Sequence, residues 1–176
     1  LWLGCKLKIK PSRPVNYLTA EPLYINQNDK GERLTNRSEW ISSSSDTTTY
    51  YRVIVKWKRP SVINNNVGVQ SLPHTYTIDY KIIKNFRGED VSDVNQWINL
   101  TTITSKGDNK NFIIEDQIDF SVTHTLNHSE DLVNGQPVKG YNTTVSYKVT
   151  PINNSEQTID NSKTVTSLPT IPRVLT

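Results

Sequence analysis

Apolar and polar residues alternate with a period of two through most of the middle of the chain, and that rhythm predicts half-buried β-strands. Tyr51, Val53, Val55 and Trp57 alternate with Arg52, Ile54 and Lys56, which gives one apolar face and one largely basic face. Arg59 and Pro60 end this strand. A polar stretch over 61–74 follows, and then Tyr76, Ile78, Tyr80 and Ile82 alternate with Thr75, Thr77, Asp79 and Lys81. A charged turn is predicted around Arg87, Gly88 and Glu89. Beyond it, Trp97, Asn99, Thr101 and Ile103 oppose Ile98, Leu100 and Thr102 in a third strand.

Gly107 and Asp108 mark the next turn, and Phe112 to Glu115 is a short apolar run. Ile118, Phe120, Val122, His124 and Leu126 then alternate cleanly. The stretch 127–140 is polar, carries Asn134-Gly135, and reads as a hairpin tip or a protruding loop. Thr143, Val145, Tyr147 and Val149 alternate with Thr144, Ser146, Lys148 and Thr150 before Pro151, and a last strand is predicted from Lys163 to Leu168. Roughly six or seven strands with turn signals at short intervals and no helical pattern predict an all-β sandwich or barrel. Parallel pairing needs crossover helices, which the pattern lacks, so the strands pair antiparallel.

Composition agrees with this reading. Valine, isoleucine, threonine and tyrosine are frequent, Ala20 is the only alanine, and methionine is absent. Without a methionine the first residue is not read as a translation start. Leu1, Leu3, Leu7 and Ile9 fall on one face of a predicted strand, opposite Trp2, Lys6, Lys8 and Lys10. The alternative, a signal segment ending on Cys5 as lipid acceptor, wants a longer apolar run. As the single cysteine, Cys5 forms no internal disulfide, so packing alone must hold the core. No apolar run approaches the roughly 18 residues of a membrane span. The net charge of +3 comes from mixed signs without a basic stripe, which disfavours nucleic acid as a partner. Asn-x-Ser/Thr sequons begin at Asn36, Asn99, Asn127, Asn142 and Asn153, but an Asn- and Thr-rich chain supplies several by chance.

Three pieces in order resemble the fibronectin type III pattern: Val53-Ile54-Val55-Lys56-Trp57 followed by Pro60, Tyr76-Thr77-Ile78-Asp79-Tyr80, and Tyr147-Lys148-Val149-Thr150-Pro151-Ile152-Asn153. The resemblance implies an antiparallel two-sheet sandwich, fibronectin type III or immunoglobulin-like, with Trp57, Tyr80 and Tyr147 as core aromatics between the sheets. The long stretch after Pro60 and the added residues from Gln117 to Gly140 depart from that family, and they leave an immunoglobulin-like or jelly-roll sandwich open. The expected organisation is an N-terminal arm with a short strand over 1–46, the sandwich over 47–170 with long loops at 61–74 and 127–140, and a C-terminal exit over 171–176.

No catalytic constellation emerges. His124 and His128 lack the glutamate of an HExxH pair and read as solvated or hydrogen-bonded histidines. Glu115, Asp116 and Asp119 are close in sequence, but glycosidase carboxylates must be held roughly 5 to 10 Å apart, and the spacing matches no such signature. No cofactor or metal is expected. Tyr17, Tyr24 and Trp40 in the arm, with Arg52, Lys56 and Lys58 on the basic strand face, are the candidate partner contacts. The expected function is a non-catalytic structural or interaction module of a large assembly, contacting other protein subunits, with a virion component first. The alternative is a cell-surface or secreted adhesion module that binds glycan, with or without a lipid on Cys5.

Overall fold

The structure, a computed structural model, describes residues 14–40, 51–58, 75–91, 96–104, 119–126, 132–133, 136–137, 142–152, 161–170 and 174–176. Among them are nine strands: β1 (Asn16–Pro22), β2 (Tyr51–Lys58), β3 (Thr75–Lys84), β4 (Ile98–Thr104), β5 (Asp119–Leu126), β6 (Leu132–Val133), β7 (Gln136–Pro137), β8 (Thr144–Ile152) and β9 (Lys163–Thr166). A single 3-10 turn, Arg37–Glu39, is the only helical element among the described residues. The strands form a three-stranded sheet in the order β1-β2-β5 and a four-stranded sheet in the order β4-β3-β8-β9, with every ladder antiparallel. The expected all-β, two-sheet antiparallel architecture is therefore present.

Period-two patterning puts one row of each strand between the sheets. Tyr51, Val53, Val55 and Trp57 of β2 pack with Phe120 and Leu126 of β5, Tyr76 and Ile78 of β3, and Val145, Tyr147 and Val149 of β8. All are buried, and each such side chain contributes roughly 1.5–3 kcal/mol by leaving water. Asn134-Gly135 links β6 to β7, whose residues pair Val133 with Gln136 and Leu132 with Pro137, so the expected hairpin is there.

Two elements differ from the sequence expectation. Residues 16–22, expected within an arm, form β1 and pair with β2 from Asn16↔Lys58 to Pro22↔Val53. A bulge between Asn16 and Thr19 places Tyr17 at φ 54°, a left-handed conformation uncommon for a non-glycine residue, and interrupts the alternation. In β4, a register shift pairs Ile78 with Thr101 but Asp79 with Asn99, leaving Leu100 as an extra residue. The alternation therefore changes phase. Asn99, Thr102 and Thr104 share the outer face, while Leu100 and Ile103 pack toward the core. The strand expected over Leu1 to Ile9 lies outside the described residues.

Candidate binding surfaces

The sandwich has two chemically different ends. At one, Trp57 stacks on Phe120 with centroids 5.8 Å apart, and Tyr76 from the facing sheet meets Trp57 edge-on at 5.6 Å and Phe120 at 4.7 Å. These distances suit favourable aromatic pairs and join the sheets there. At the other end the interior is polar: His124 Nδ1 and the Tyr147 hydroxyl are 2.8 Å apart, and the Tyr80 ring lies 4.5 Å from the imidazole. Burial lowers the His124 pKa from 6.5 to about 4, so the imidazole is neutral near pH 7. Burial, and then the neighbouring Tyr80, raise that of Tyr147 well above its ordinary value. The three sequence-chosen aromatics thus divide, with Trp57 at the first end, Tyr80 and Tyr147 at the second, and Tyr80 only half-buried.

Side-chain hydrogen bonds close the His124 end. The Arg52 guanidinium donates to the carbonyls of Ile25 and Gln27 and reaches Asp29 at 3.5 Å. Asn26, 2% exposed, donates to the Leu175 carbonyl at 3.0 Å and accepts from the Leu175 N–H at 2.5 Å, as another strand would. Two turns share the pattern Asn-x-(Lys/Arg)-Gly-Glu: in each, Asn28 or Asn85 accepts through Oδ1 from backbone N–H groups two and four residues on. Gly31 and Gly88 take φ +84° and +75°, which side-chain-bearing residues adopt at a cost.

The candidate contacts scatter accordingly. Arg52 is spent on the 25–29 turn, and Tyr24 is half-buried in that turn. Trp40 is half-buried, with the Arg37 guanidinium 5.8 Å from its ring. Tyr17, by contrast, is 70% exposed, and Lys58 Nζ lies 5.5 Å from its ring at the Trp57 end; Lys56, one turn of the pleat away, is exposed. Cys5, Glu115, Asp116 and His128 lie outside the described residues, and no group of metal-ligating side chains occurs among those described.

The strand ends also separate the two long loops expected at 61–74 and 127–140. Lys58 and Thr75, which bound 59–74, are at the Trp57 end, as are Thr104 and Asp119, which bound 105–118, and Ile152 and Lys163, on either side of 153–160. Leu126 and Thr144, between which 127–143 runs, are at the His124 end.

One arrangement escaped the sequence reading. On the outer face of the four-stranded sheet, Lys81 Nζ and Lys148 Nζ lie 4.3 and 4.9 Å from the Trp97 ring centroid. Asp79, paired in register with Lys148, accepts from Asn99 Nδ2 at 3.2 Å beside them. Lys81 and Lys148 come from different strands, so only the β3-β8 register unites them. The available signal was Trp97 standing in the same row as Asn99, an aromatic ring on a polar face.

The chain matches no protein-family model, no curated protein and no solved structure. No helix among the described residues is long and apolar enough to cross a membrane.

Proposed function

We propose that the chain is a non-catalytic interaction module on a fibronectin type III-like sandwich, and that it binds neighbouring protein subunits of a larger assembly through its Trp57 end. The fold reading is supported by the strand order. An immunoglobulin constant sandwich extends the sheet of its first, second and fifth strands with the fourth. Here β4 instead lies at the edge beside β3. The observation that carries the binding reading is that the bounds of 59–74, 105–118 and 153–160 all fall at one end of a packed framework, next to the exposed Tyr17 and the half-buried Lys58. Binding groups concentrate on connections held by rigid scaffolds, and aromatic and basic groups are favoured where proteins meet.

The assembly we favour is a virus particle, on the sequence grounds of a disulfide-free β-domain with long polar connections. The deciding experiment replaces 62–72 and, separately, 128–140 with Gly-Ser linkers of equal length and measures retention in the native assembly by cross-linking. Loss of cross-links for the first replacement and retention for the second is expected. Equal retention of both overturns the reading.

A further inference from the structure

We propose that Trp97, Lys81 and Lys148 form a binding site for an acidic carbohydrate, a pyranose carrying a carboxylate, on the outer face of the four-stranded sheet. This goes beyond the subunit contacts assigned to the Trp57 end and stands independently of them.

The two ammonium groups converge on one indole at 4.3 and 4.9 Å. Attraction to the ring's negative face holds each of them, but bringing two like charges to one ring is unfavourable until an anion joins them. Among the described residues no carboxylate is within ion-pairing distance of either; the ion pairs there are Arg52–Asp29 and Lys84–Asp90. The site therefore presents two positive charges against the single carboxylate of Asp79, which is engaged by Asn99. A carboxylate bridging two ammonium groups makes charge-assisted hydrogen bonds, stronger than neutral ones.

The remaining surroundings favour a sugar over an acidic peptide. When a carboxylate draws the two ammonium groups toward itself, the Trp97 ring they leave offers an apolar surface against which the C–H face of a pyranose packs. Asp79 and Asn99, already joined at 3.2 Å, bring an acceptor and a donor to the same face for vicinal hydroxyls. The neighbouring positions on that face are threonines: Thr75 and Thr77 on β3, Thr102 and Thr104 on β4, and Thr150 on β8. A hydroxyl-lined sheet face accommodates successive sugar units, whereas an acidic peptide would gain little from it beyond the charges.

The test is titration of the whole chain with an oligogalacturonate, its neutral galactose counterpart and a poly-glutamate peptide, followed by tryptophan fluorescence and calorimetry. Saturable binding of the oligogalacturonate, roughly tenfold tighter than the neutral oligomer and weakened by added salt, is expected. Trp97→Ala should lose about tenfold in affinity, and Lys81→Gln and Lys148→Gln about fivefold each. The lysine variants decide the matter if Trp97→Ala does not fold. Equal binding of charged and neutral oligomers, tighter binding of poly-glutamate, or unchanged affinity in both lysine variants would overturn the proposal.

Discussion

The Trp57 end and the His124 end are built from the same strands by different physics. At the first, three stacked and tilted rings bridge the sheets, and Trp57 Nε1 is buried with no acceptor among the described residues, so non-directional packing holds it. At the second, His124 with Tyr147, Arg52 with the 25–29 turn, and Asn26 with Leu175 impose directional bonds. Packing tolerates changes in what is attached around it, provided that volume is kept. Hydrogen-bonded closure does not, because each removed partner leaves a buried polar group unsatisfied. The end best able to carry variable connections is thus the one from which 59–74, 105–118 and 153–160 depart.

Substitution at the aromatic end breaks this contrast most strongly. Trp57→Ala should destabilise the fold by about 3–5 kcal/mol in chemical denaturation, since the ring is 1% exposed between both sheets. A loss below about 1 kcal/mol would mean that the rings do not join the sheets.

Acid separates the ends without any substitution. Because His124 binds its proton less readily folded than unfolded, its contribution is fully present above about pH 6.5 and is lost as pH falls through about 4. The loss over that window should reach roughly 3 kcal/mol, measured as denaturation midpoints against pH. His124→Gln should flatten this part of the profile, and Trp57→Phe should leave its shape unchanged.

Asn26→Ala is the smallest test. Removing both bonds to Leu175 should cost about 2 kcal/mol. It should also raise amide exchange at Leu175 while leaving Trp57 fluorescence unaltered. If the two ends are instead one cooperative network, fluorescence will change as well.

The readable part of the fold was the part in which alternation ran unbroken. β2, β3, β5 and β8 each keep a strict inner row, and their inner residues were legible one by one. β1 was hidden because its bulge puts Tyr17 out of phase and because Pro14 and Pro22 flank it like an irregular arm. β4 was seen as a strand, but its face changes at Leu100, a shift fixed by pairing with β3 rather than by its own residues. The surface around Trp97 needed the partner of every strand to be known, since Lys81 and Lys148 are neighbours only through the sheet. The same holds for the separation of 61–74 from 127–140, which is a matter of strand direction.

The extra residue at Leu100 also makes β4 a counting device. A one-codon deletion at Leu100 would remove a side chain that packs toward the core and leave Trp97, Asn99, Thr102 and Thr104 in one unbroken alternation on the outer face. Conservative substitutions along β4 leave that parity intact. This face can thus lose that one residue and keep its order, whereas loss of Ile103 would put Thr102 and Thr104 on opposite sides.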